Sequence, residues 1–175
     1  MYEYLKKYIP GGNEINDNWF VPLYKRDILE AEKYLGFSFP SLLKDFYLNI
    51  GYGCLRSPHD PPKDYKFYGK NEILPPLVAA HFYKGIIEHH TIEEKQEALN
   101  YDEDYWFSHE TLEYTTPGDL PFFEIGDSSS FLMMKPQSEF PNTVYDIGGD
   151  IVEKEFKDFI WKLYYKDPSY YSENW

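Results

Sequence analysis

The chain is short of cysteine, of cations and of long apolar runs, and each shortage excludes something. A single cysteine, Cys54, rules out an intramolecular disulfide and fits a reducing compartment. No run approaches the ~18 apolar residues that span a bilayer. Residues 1–8, carrying Glu3, Lys6 and Lys7, are too polar for the apolar region of a signal peptide, so a soluble, cytoplasmic protein is expected. Seventeen Lys and Arg stand against thirty Asp and Glu, a formal net charge of −13. Free nucleic acid and anionic membrane are therefore poor ligands, because phosphate binding needs cationic side chains. No Gly-rich phosphate loop is present: Gly51-Tyr52-Gly53 follows a helical pattern, not a strand, and lacks the downstream glycine. Internal repeats and low-complexity tracts are missing too. The length of 175 residues predicts one domain over 1–175, large enough to bury its core without disulfides or metals.

Acid and aromatic residues are plentiful. Between Glu88 and Asp119 lie ten acids and one cation, Lys95, a net of −9. A basic protein is the natural complement of such a segment; the plainer reading is a solvated surface that keeps the chain soluble. Aromatics make up 20% of the residues, more than one core of this size needs, so some should lie at the surface and could serve an interface. Tyr101-Asp102-Glu103-Asp104-Tyr105-Trp106-Phe107 combines both. Aromatic anchors with acids around them suit a basic partner. Alternatively Trp106 and Phe107 pack inward and the acids only solvate a loop. Asp102, Glu103, Asp104, Tyr105, Trp106 and Glu110 are the candidate partner-binding residues, on local charge and aromaticity alone.

The spacing predicts a short helix over 2–9, a docking strand at Trp19-Phe20-Val21, and helices over 25–35 and 40–50. Ile28, Ala31 and Leu35 recur at helical spacing and Gly36 follows as a left-handed stop. Pro40 suits the first turn of the next helix. Leu42, Leu43, Phe46, Tyr47 and Ile50 form its apolar face, and Gly51 and Gly53 end it. Prolines at 58, 61 and 62 argue for a loop, with a short strand at 65–68. A third helix enters through Pro75-Pro76 and runs over 77–89, and 93–100 extends it or forms another; 101–116 has no clear pattern. Then the period shortens to strands over 120–125, 130–135 and 143–147, with Gly126-Asp127-Ser128 as a hairpin turn and Gly148-Gly149-Asp150 ending the third. Phe156, Phe159, Ile160, Leu163 and Tyr164 mark a closing helix. This order predicts an α+β fold, a mainly antiparallel sheet with helices packed on one face.

The ordered positions Ile28, Glu32, Leu35, Gly36, Pro40, Leu43, Lys44, Phe46, Tyr47, Asn49, Gly51 and Gly53 resemble the N-terminal signature of the SUKH superfamily, the Smi/Knr-like proteins. Leu120-Pro121-Phe122-Phe123-Glu124-Ile125-Gly126-Asp127, Phe131-Leu132-Met133-Met134, Val144-Tyr145-Asp146 and Phe156-Lys157-Asp158-Phe159-Ile160 resemble its later strands and final helix. The resemblance covers residues 22–165, with 1–21 as an extension and 166–175 as a tail. It implies scaffold roles for Leu35, Gly36, Pro40, Gly51 and Gly53. Many bacterial members are immunity proteins that neutralise a cognate toxin, often a nuclease; fungal relatives regulate cell-wall assembly. The resemblance thus implies a cytoplasmic, non-enzymatic protein whose partner is a basic toxin domain, with no cofactor. A protein-interaction or regulatory role without a toxin is the alternative.

Enzymatic and metal readings are thinner. Gly126-Asp127-Ser128-Ser129-Ser130 matches the GDSxS block of a lipase/esterase family, which would make Ser128 a nucleophile. That family's Asp-x-x-His near the C-terminus is missing, since no histidine follows His109, and a serine nucleophile needs that base. His89 and Glu93, at i and i+4 of one helix, would share a face, but two ligands make no zinc site. Asp102-Glu103-Asp104 lacks the glycine and bidentate Glu of a calcium loop. Cys54 has no basic neighbour in sequence and reads as a buried small side chain.

Overall fold

A computed structural model of the chain describes residues 1–9, 18–55, 71–99, 109–125 and 130–166, with the backbone alone at 99, 109 and 110. A 3-10 turn, Glu3–Tyr8, comes first. It is followed by β1 (Trp19–Val21), α1 (Lys25–Leu35), α2 (Ser41–Asn49), β2 (Tyr52–Cys54) and β3 (Glu72–Ile73). Next come α3 (Pro76–Phe82), which runs directly into a π turn (Tyr83–Ile87), then α4 (Ile92–Leu99) and α5 (His109–Tyr114). The chain closes with β4 (Leu120–Ile125), β5 (Ser130–Met134), β6 (Val144–Tyr145), β7 (Ile151–Glu153) and α6 (Phe156–Tyr165). The seven strands among the described residues lie in chain order, each antiparallel to its neighbours. The fold is α+β around an antiparallel sheet.

α1 and α2 follow the spacing closely. Gly36 adopts φ +86° and returns its N–H to the Glu32 carbonyl at 2.9 Å, which stops α1 as a left-handed residue should. Across the turn, the nearly buried Glu32 carboxylate accepts the Phe39 N–H at 3.0 Å and the Lys44 ammonium at 2.9 Å. The two charged positions of the sequence signature are thus one ion pair that folds α2 back onto α1. Gly51 and Gly53, at φ +113° and +144°, begin an edge that β1 covers. A Cβ at Gly51 would sit 1.9 Å from the Val21 carbonyl oxygen, and one at Gly53 2.2 Å from that of Trp19. These glycines therefore do more than end α2; they let β1 dock.

The core is built on aromatic rings. Phe46 meets Tyr2 at 4.9 Å, Phe20 at 5.8 Å and Phe156 at 5.6 Å between centroids. A bulge in β4 between Pro121 and Phe123 lets two consecutive rings, Phe122 and Phe123, both reach Phe159 of α6, at 5.8 and 5.2 Å. Tyr47, fully buried, donates its hydroxyl to the Leu74 carbonyl at 2.8 Å. Phe131, Leu132, Met133 and Met134 are all buried, and side chains alternate along a strand, so β5 is covered from both sides. Phe131 meets Phe82 of α3 at 5.5 Å, whereas Phe123, the register partner of Leu132, meets α6.

Several elements differ from what the spacing predicts. The third helix stops at Ile87, and α4 starts afresh at Ile92, so His89 and Glu93 do not share a helical face. Residues 148–150 lead into a further strand: Asp146 Oδ1 accepts the Asp150 N–H at 2.8 Å, and β7 pairs back on β6. The strand expected at 65–68 lies outside the described residues; β3 lies downstream, at Glu72–Ile73. Surplus aromatics do reach the surface, among them Tyr24, Tyr34, Phe140 and Trp161, and Cys54 is buried.

Candidate binding surface

Asp102, Glu103, Asp104, Tyr105 and Trp106 lie outside the described residues, and Glu110 is described only by its backbone at the start of α5. The two helices that flank this segment, α4 and α5, are described.

α4 opens on a reciprocal cap. Thr91 Oγ1 accepts the Glu94 N–H at 3.1 Å, and the Glu94 carboxylate accepts the N–H groups of Thr91 and His90 at 3.1 and 3.0 Å. Those two backbone donors, Thr91 first, hold the Glu94 carboxyl below the usual glutamate range. Glu93, Glu94, Gln96 and Glu97 face solvent. Lys95 turns the other way and is only 2% exposed. Its ammonium donates to the carbonyls of Leu112 (2.9 Å) and Thr115 (2.5 Å) and to the Thr115 hydroxyl (3.1 Å), so all three of its hydrogens are used. Thr115 in turn donates its hydroxyl to the Thr111 carbonyl at 2.6 Å. Desolvation pushes the Lys95 pKa down, with the Asp119 charge working against it. Asp119 accepts from the Thr116 N–H and hydroxyl at 2.7 and 2.8 Å and lies 3.4 Å from Lys135 Nζ.

The electrostatic outcome is an inversion. The one cation between residues 88 and 119 is consumed inside, at the carbonyl end of α5, where a helix carries partial negative charge. Glu93, Glu94, Glu97 and Glu113 remain at the surface. In the sequence Lys95 offsets one of the ten acids of this segment. The signal that could have found its true place is positional: Lys95 is three residues from both Ile92 and Ala98, on the less exposed stripe of α4.

Ser128 and the hairpin turn expected at 126–128 lie outside the described residues, as does the side chain of His109. His81, on α3, stacks against Tyr34 of α1 at 4.7 Å. Among the described residues no three His, Cys, Asp or Glu side chains gather as a metal centre would require. No described helix is long and apolar enough to cross a membrane.

No curated protein and no solved structure matches the chain significantly. The model of the SMI1 / KNR4 family (SUKH-1) matches residues 22–163. That stretch begins just after β1 and ends within α6, and it contains the Glu32–Lys44 pair, Gly51 and Gly53, and the aromatic seat of α6. By the extent of that match the chain belongs to the SMI1 / KNR4 family (SUKH-1).

Proposed function

We propose that this protein is an immunity-type member of its family, a cytoplasmic binding protein, without catalysis of its own, that neutralises a cognate toxin. The partner this reading calls for is a basic domain, a nuclease by the chemistry of the match, since a nuclease site is cationic where it receives phosphates. The acids of α4 and α5, with the candidate residues Asp102, Glu103, Asp104, Tyr105 and Trp106 between the two helices in sequence and Glu110 at the start of α5, would stand in for that polyanion. The observation that carries the reading is the burial of Lys95, which leaves the outer side of this region without the one cation its sequence contains.

The test is a pull-down and binding-rate measurement with the toxin encoded beside the gene, at low and raised salt. Steering between exposed charges is screened over ~10 Å at about 0.1 M salt, so association should slow as salt rises. Replacing Glu93 and Glu97 together by lysine should slow association by about tenfold and flatten the salt dependence, with dissociation changed less. Reversal at Asp102, Glu103 and Asp104 should add to that loss. Affinity unchanged by both sets of reversals would remove this face from the interface.

A further inference from the structure

We propose that Lys95 is the positioning residue of the acidic surface, a buried ammonium that locks α4 to α5 and so fixes the geometry in which their outer acids are displayed. The inference rests on the binding reading above.

Burying an ammonium is costly, and an apolar side chain would fill the same space more cheaply. The lysine makes sense only through what it joins. The last carbonyls of a helix have no partner within it, and α5, at six residues, is too short to hold its own geometry. Lys95 supplies donors to Leu112 and Thr115 at that end, while the rest of α4 packs on the π turn and on α5. In sequence, α4 and α5 are also the elements on either side of residues 100–108. The charged group that the ammonium feels is Asp119; Asp119 in turn pairs with Lys135 at 3.4 Å and acts, with Glu88 and Lys84, on Tyr83 of the π turn. Asp119 alone opposes the loss of the Lys95 proton.

The sign of one measurement separates positioning from simple charge. Lys95→Met removes a cation, so if only net charge matters the variant binds a polycation more tightly. If Lys95 positions the acids, the variant binds less tightly although it is more negative. The probe is fluorescent poly-L-lysine titrated against the full chain, beside amide exchange of both proteins. The expected result is exchange of amides 109–116 at least about tenfold faster, with β4, β5 and α6 unchanged, and poly-lysine affinity about threefold lower. Thr115→Val, which deletes one acceptor and keeps the shape, should move both readouts the same way by less, and serves if the methionine variant does not fold. Tighter poly-lysine binding, or exchange that is unchanged or faster everywhere alike, overturns the proposal. Glu93→Lys with Glu97→Lys leaving poly-lysine binding intact would instead overturn the surface reading, and with it the role of Lys95 there, whatever the exchange shows.

Discussion

Glu32 and Lys44 stand twelve residues apart in sequence and 2.9 Å apart in space. The carboxylate has two clients, the ammonium and the Phe39 N–H. Glu32→Ala strips both and should cost about 2–4 kcal/mol, read as a lower urea midpoint; a loss under about 0.5 kcal/mol would mean that solvent already serves both donors. The glycines give a sharper contrast. Gly36 has open space where a Cβ would go, so Gly36→Ala should cost only its left-handed backbone, about 1–2 kcal/mol. At Gly53 a Cβ would press 2.2 Å from a carbonyl of β1. Gly53→Ala should exceed about 4 kcal/mol or detach the strand, and equal midpoints for the two variants would contradict the docking geometry. At this scale the sequence shows which positions matter without showing why. Glu32 and Lys44 were legible as members of a spacing, but their bond exists only after the chain turns at Gly36.

Legibility among the elements follows length. α1, α2 and α6 run 11, 9 and 10 residues, long enough to repeat an apolar stripe, and their patterns place them within a residue or two. β3 and β6 have two residues each, and no alternation can show in two. α5, at six residues, is under two turns and hides in a polar stretch. The break before α4 had a written signal, the Thr91-x-x-Glu94 pattern, which competes with the helical reading of 77–89 and wins because it satisfies three backbone donors. Thr91→Ala should therefore fray the first turn of α4 by about 1 kcal/mol, seen as faster exchange at residues 92–95 with the core unaffected. The cap is also pH-dependent. Glu94 has a folded pKa lowered by those donors, so its contribution is present above the unfolded value of about 4.3 and fades as pH falls through the lower folded value. Exchange in that turn, corrected for intrinsic rates, should hold steady down to about pH 4.3 and quicken below it. The candidate surface was legible as acid density, whereas the inward lysine depends on acceptors 17 and 20 residues away.

Across the whole molecule, the family match starts at residue 22, yet the packing does not. Tyr2, Leu5, Tyr8 and Phe20 belong to the same core as α2 and α6. Tyr2 and Phe20 both touch Phe46, the Tyr8 hydroxyl meets that of Tyr164 at 3.1 Å, and β1 pairs with β2 along three residues. At about 1.5–3 kcal/mol per buried side chain these four are worth roughly 6–12 kcal/mol, as much as the ~5–15 kcal/mol that holds a typical domain together. Removing residues 1–21 would also bare the edge of β2, with Gly53 in it and Gly51 beside it, as an open template for another strand. A chain cut to 22–175 should therefore be unfolded or aggregated near neutral pH, while one lacking only Met1, which is 69% exposed, should melt with the full chain. Circular dichroism and sedimentation of the two truncations decide the matter: a monomeric 22–175 with an unchanged melting temperature would make the first 21 residues an ornament on an independent fold. The expected collapse would make them part of the scaffold that carries α4, α5 and their acids, since Phe46 could not keep its packing with two of its ring partners gone.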